Sequence, residues 1–395
     1  MKEIYLDHAA TTKLDERVLQ KMMPYFTEYY GNANSQHGMG RDAQKAVDEA
    51  RDEIAKLIGA QPNEIYFTSG GTEADNWVLR GICKALSHKG KHIITTKIEH
   101  AAMLSTAKEL EKEGYEFTFL NVDNEGFVDL TELEKSIRPD TILVSCMYAN
   151  NEIGTIEPIK KIAEIAHAHG VLCHTDAVQA MGAMRVNVRD SGVDMMSFSA
   201  HKFNGPKGMG ALFIKTGVPV GRLISGGHQE RTRRGGTTNV PGVVGFAEAL
   251  RLTYETLDED VKHVAALRDR FVKRVLEEVP YVKFNGPKDM TKRLPNNADF
   301  SFEYIEGESI LFSLDLAGIA VSSGSACSSG SLEPSHVLLA IGVPEELAHG
   351  SIRFTFGKEN TEEEVDYTVE KIKETVERLR KMSPLFKLDG TLKEV

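Results

Sequence analysis

Several short stretches of this chain carry residues whose types and spacing suit chemistry. The most pointed is SFSAHKFNGPKGMG, residues 197 to 210, where Lys202 stands directly after Ser199 and His201. A buried lysine is costly unless its charge or its nucleophilicity is used. An amine in a desolvated site forms a Schiff base readily with an aldehyde, and Ser199 and His201 could donate hydrogen bonds to an anion beside it. The plain alternative is a solvated loop lysine. In YFTSGGTEADNWVL, a strand-like run ends at Gly70 and Gly71, and Thr72 opens a helical pattern. Free N–H groups and the helix dipole make such a turn an anion site. The stretch is neither GxxxxGK[ST] nor GxGxxG, so it supports neither a nucleotide P-loop nor a dinucleotide fingerprint. A glycine turn with Thr72 as helix cap is the competing reading.

Asp176, in VLCHTDAVQA, follows an apolar run, with Gln179 three residues on. A carboxylate at a buried strand end needs a cation or several donors. A protonated pyridine nitrogen would serve, and so would the N–H groups of a following helix. His100, in IITTKIEHAAM, lies at a strand-to-helix junction, where it could stack on a planar cofactor and shuttle protons, or merely cap the helix. Cys327, in AVSSGSACSSGSLEPSH, is set among small residues. A thiol displayed this way suits a mobile nucleophile, reactive as thiolate. Cys146, among apolar neighbours, reads instead as structural. Taken together, a phosphate cradle, a pyridinium partner, a Schiff-base lysine and a stacking histidine occur in the order a pyridoxal-phosphate enzyme needs.

These residues must be held at the carboxyl ends of strands, where open α/β sheets gather their functional groups. Runs at 64–68, 92–96, 117–121, 141–146, 171–175, 194–199 and 210–215 read as strands, with amphipathic helical segments between several of them. The alternation predicts a mostly parallel sheet covered by helices. A long helical pattern from Pro241 to about Val279 leads to a last third of different character. There DFSFEY and IRFTFG flank a helix, and a final helix starts with Thr361 and Glu364 in capping-box spacing. The expected architecture is α/β with a smaller α+β domain.

At 395 residues the chain is long enough for two domains. A formal charge of −11 argues against nucleic acid as main partner. No apolar run is long enough to span a membrane, and the N-terminus lacks the apolar core of a signal peptide. Cys83, Cys146, Cys173 and Cys327 are widely spaced, which argues against a disulfide framework or a zinc site. A cytoplasmic location is expected.

From YLDHAATT to SPLF near residue 386, and most specifically in SSGSACSSGSLEPSHVL and SFSAHKFNGPKGMGAL, the chain resembles the class I cysteine desulfurases. These belong to the aminotransferase class V group of fold-type I pyridoxal-phosphate enzymes. The resemblance implies a large domain over 15–255 with a mostly parallel seven-stranded sheet. A small domain of 1–14 and 256–395 would carry the cysteine loop. It makes Lys202 the Schiff-base lysine, Asp176 the partner of the pyridine nitrogen and His100 the stacking residue and proton carrier. Gln179 and Asn151 would contact the ring or its phenolic oxygen. Thr72, Ser199, His201 and the Gly71 backbone would bind phosphate, joined by Thr237 from a neighbouring subunit of a homodimer. Arg353, Asn151 and Asn34 fall to the substrate, L-cysteine. The implied reaction yields L-alanine and a persulfide on Cys327, passed to an iron–sulfur scaffold or another sulfur acceptor. No intrinsic metal is implied, although Cys327 could transiently ligate a cluster with a scaffold. Rival readings are a selenocysteine lyase or an aminotransferase on the same fold, and a non-catalytic sulfur-transfer scaffold.

Overall fold

A computed structural model describes residues 3–323, 333–384 and 386, so Cys327 lies outside the described residues. In chain order the strands are β1 (Ile4–Tyr5), β2 (Ile65–Thr68), β3 (His92–Thr96), β4 (Glu116–Leu120), β5 (Thr141–Ser145) and β6 (Leu172–Asp176). They continue with β7 (Met195–Ser199), β8 (Gly210–Ile214), β9 (Val282–Asn285), β10 (Asn297–Phe302), β11 (Ile319–Ala320) and β12 (Ser351–Thr355). Seven of them form the central sheet in the order β2-β8-β7-β6-β5-β3-β4. Only β8 runs against its neighbours, so the other strands end at one edge. Central strands such as TILVS and MMSFS are buried along their whole length, as expected for a sheet covered on both faces. At the sheet edge β4 is buried only at Leu120.

Each of the seven expected runs is a strand of this sheet, with ends shifted by about a residue. One local expectation fails. The helix Gly71–Leu86 starts before Thr72, with Gly70 as its N-cap and no side chain capping it. Thr72 is therefore inside the first turn and does not act as the cap.

The helix Val240–Glu278 links two cores. Asn239 accepts from the Gly242 N–H at 3.1 Å, and Pro241 sits in the first turn, where a missing N–H costs nothing. Up to Leu257 its buried residues join the core beneath the central sheet. From Val264 to Val275 they join a second core with β10, β12 and the helix Glu362–Met382. There Phe271 lies 6.0 Å from Phe300, 4.8 Å from Phe354 and 5.3 Å from Phe356, ring centre to ring centre. The last helix has the expected capping box, with Thr361 Oγ1 and Glu364 Oε2 each accepting a backbone N–H at 3.3 Å. Antiparallel strands in the order β12-β10-β9 and a parallel β1-β11 pair complete this second unit. After β1 the chain runs back as a strap towards the central sheet, and Thr12 N–H donates to the His201 carbonyl at 2.9 Å.

Candidate active site

The carboxyl ends of the strands, the strap and β12 enclose a cavity of about 320 Å³. Lys202 reaches it from the short turn Ala200–Lys202 that ends β7. Its Nζ donates to the carbonyls of Ala9 at 2.5 Å and Ala10 at 2.9 Å, both on the strap. This lysine is half-buried and held in place, not solvated. Beside it, His201 Nδ1 is 3.1 Å from Thr11 Oγ1. Burial first, then the charges of Lys202 and Lys207, push the His201 imidazole down to about 4. At neutral pH it is uncharged and can still donate one hydrogen bond.

One wall is the start of the helix Gly71–Leu86. Among the described residues no side chain caps this 16-residue helix, so its first-turn N–H groups and positive dipole end are left for an anion. Gly71, Thr72, Ser199 and His201 all line the cavity at this end. The backbone comes close here: a Cβ on Gly71 would lie 2.6 Å from Val178 Cγ2. Glu73 tightens the turn by accepting from Ser69 N–H at 2.9 Å while pairing with Arg234 at 2.8 Å.

The cavity also carries Asp176, the last residue of β6. A turn follows it, not a helix, which removes the helix-cap reading. Its Oδ1 accepts from Val178 N–H at 2.8 Å. Burial raises its pKa, and the charges of His100 and Lys202 pull it back. Gln179 Nε2 donates to the Ala9 carbonyl at 3.0 Å. His100 does both things its sequence allowed. It caps the helix Ala101–Lys112, with Nδ1 accepting from Ala102 N–H at 3.1 Å, and it faces the cavity. A nitrogen that accepts carries no proton, so in the neutral ring the proton sits on Nε2. Burial holds this ring below the usual histidine range.

Arg353 comes from β12, in the second core, and is almost fully buried. Its Nη1 donates to the Asn151 carbonyl at 2.9 Å and its Nη2 to Asp7 Oδ1 at 3.0 Å. Its Nε is buried with no partner among the described residues. Arg353 lines the cavity, and a guanidinium there suits a carboxylate. Asn151 lines the same space. Asn34 and Thr237 are exposed and do not line this cavity.

Sequence reasoning passed over Asp7, the Ala9 and Ala10 carbonyls, Asp75 and Glu99. Asp75 had a signal: a carboxyl one helical turn from Gly71 and next to the apolar Ala74, Trp77 and Val78. The Ala9 and Ala10 carbonyls had none, because a backbone carbonyl leaves no trace in residue type.

The described groups match the parts of a phosphorylated pyridine aldehyde: an uncapped helix start, a buried carboxyl and an amine around one cavity. The aminotransferase class-V family model matches residues 4–368. The cysteine desulfurase IscS of Clostridium botulinum is 51% identical over 385 residues, covering 98% of this chain and 97% of its own. That of Dictyoglomus turgidum is 53% identical, covering 97% of each chain. Among solved structures, a NifS-like protein superposes with a TM-score of 0.90 at 42% identity, covering 95% of this chain and 100% of its own. SspA in complex with cysteine gives 0.79 at 32% identity, over 91% of this chain and 100% of its own. With the match running through the cavity walls from Asp7 to Arg353, the chain belongs to the aminotransferase class-V family.

Proposed function

We propose that the chain is a pyridoxal-phosphate-dependent cysteine desulfurase, converting L-cysteine to L-alanine and supplying sulfur for iron–sulfur cluster assembly. The observation that carries this reading is that Lys202, Asp176 and Arg353, far apart in sequence, line one cavity. When bound, pyridoxal phosphate supplies an electron sink that weakens bonds around the substrate α-carbon. Lys202 is the residue that would hold its aldehyde, and Asp176 the partner of its ring nitrogen. The first turn from Gly71, with Thr72, Ser199 and neutral His201, would hold its phosphate. Gln179 and Asn151 would fix the ring edge.

Arg353 takes the substrate carboxylate, with Asp7 and the Asn151 carbonyl fixing the plane of its guanidinium. His100 stacks on the ring and moves protons at Nε2, since Nδ1 is committed to the helix. Asn34 assists at the substrate. The Cys327 thiolate attacks the substrate sulfur. One carbon–sulfur bond breaks and a carbon–hydrogen bond replaces it, giving alanine, while the new sulfur–sulfur bond leaves a persulfide on Cys327. That persulfide passes to a scaffold protein or another acceptor, where Cys327 can briefly ligate the cluster. The working unit is a cytoplasmic homodimer in which Thr237 reaches the phosphate of the neighbouring subunit. The large domain spans 15–255, and the remainder forms the small one.

Incubation with cysteine, with alanine and protein-bound sulfur assayed together, tests the reading. Alanine should form, and mass spectrometry should find the added sulfur on the Cys327 peptide. Cys327→Ala should keep the cofactor and lose nearly all alanine release, while Cys83→Ala, Cys146→Ala and Cys173→Ala stay active. Full turnover in Cys327→Ala would refute the mechanism.

A further inference from the structure

Behind Asp176 lies a second carboxyl that the mechanism above does not use. Asp75, on the helix Gly71–Leu86, is 1% exposed and lines the same cavity. Its Oδ1 is buried without a hydrogen-bond partner among the described residues. Next to it a polar row crosses three strands on one face of the sheet. Ser145 Oγ on β5 is 2.8 Å from His174 Nδ1 on β6, and His174 Nε2 is 3.0 Å from Ser197 Oγ on β7. The Ser197 hydroxyl, at the end of this row, favours the ionised form of Asp75, against the larger effect of burial. His174 Nε2 lies 3.9 Å from Asp75 Oδ1, too far to bond.

The two carboxyls have opposite surroundings. Lys202 brings positive charge to Asp176, and the Val178 N–H donates to its carboxyl. The charges that act on Asp75 are those of Asp176 and Glu99, both of which oppose its ionisation, as burial does. His174, wholly buried and pushed down to about 3, offers no charge to offset them. Glu99 is itself raised to about 8 by burial, with Oε1 accepting from Thr96 and the Met147 N–H. Neighbouring carboxyls whose environments pull apart take different roles.

We propose that Asp75 is a positioning residue for Asp176: buried beside the Ser145–His174–Ser197 row, it stays a neutral acid and leaves Asp176 to offer negative charge to the cofactor ring nitrogen. This rests on Asp176 being the ring-nitrogen partner. The sign of the pH effect follows from linkage. An acid whose proton is held more tightly in the fold costs stability as pH rises above its unfolded value near 4. Asparagine, which resembles the neutral acid, removes that cost.

The full chain would be stripped of pyridoxal phosphate, melted at several pH values, then titrated with pyridoxal phosphate while its absorbance is followed. Cofactor-free Asp75→Asn should melt about 2 °C or more above wild type at pH 8.5, with the gap shrinking towards pH 5. It should bind the cofactor within about twofold of wild type, whereas Asp75→Leu, lacking the hydrogen bond, should bind about tenfold more weakly. Asp75→Leu should also shift the pH at which the bound cofactor changes colour, and Asp75→Asn should not. Asp75→Asn melting no higher than wild type at pH 8.5 overturns the neutral acid. Wild-type cofactor binding in Asp75→Leu overturns the positioning role. Asp176→Asn in the same titration separates the premises: an unmoved spectrum there defeats the reading of Asp176, whatever Asp75 does.

Discussion

His100 shows how one side chain can hold two duties that mutation can separate. Its Nδ1 completes a helix start, and the ring lines the cavity. Asparagine is also a good N-cap, but it cannot accept and return a proton near neutral pH. His100→Asn should therefore unfold within about 0.5 kcal/mol of wild type, while alanine formation falls by about 10²-fold or more. His100→Ala should lose a similar rate and about 1 kcal/mol of stability as well. Denaturant unfolding alongside an alanine assay checks both; equal stability loss in the two variants would show that the cap is not what His100 contributes to the fold. Lys202 and Asp176 were legible as chemistry from their place after apolar runs. Asp75 showed only as an acid among apolar residues, because its meaning depends on Asp176, about a hundred residues away, and appears once both reach one cavity.

At the scale of elements, the central strands could be read because burial on both faces leaves little but apolar residues in them. The short β1 and β11, two residues each, and the half-buried β9 carry no such pattern. The start of the helix Gly71–Leu86 shows the same limit. Threonine beside glycine suggests a cap, yet the backbone turns one residue earlier and leaves its N–H groups open. Close packing there sets the next prediction. In Gly71→Ala the new Cβ would press on Val178 Cγ2 at 2.6 Å. Such overpacking should cost about 1–3 kcal/mol, read as weaker pyridoxal phosphate binding. Adding Val178→Ala should recover most of it. Undiminished binding in Gly71→Ala alone would mean that Val178 moves aside freely.

On the scale of the whole molecule, the proposed dimer can be tested by complementation. Thr237→Asp would set a carboxylate against the phosphate of whichever subunit it reaches, and Lys202→Ala removes the amine. If Thr237 acts across the interface, one dimer made of both variants has one intact site, and alanine formation returns on mixing. If it acts within its own chain, both sites stay defective and the mixture stays inactive. The strap joins the molecule in another way. Asp7 and Arg353 meet across 346 positions, as do Ala9 N–H and Thr355 Oγ1, and the carbonyls that hold Lys202 lie on that same strap. On the ribosome, the part that grips the lysine is made early and must wait for nearly all the rest to be translated. A polypeptide that stops short of β12 therefore lacks the Arg353 partner of Asp7 and the Thr355 anchor of the strap.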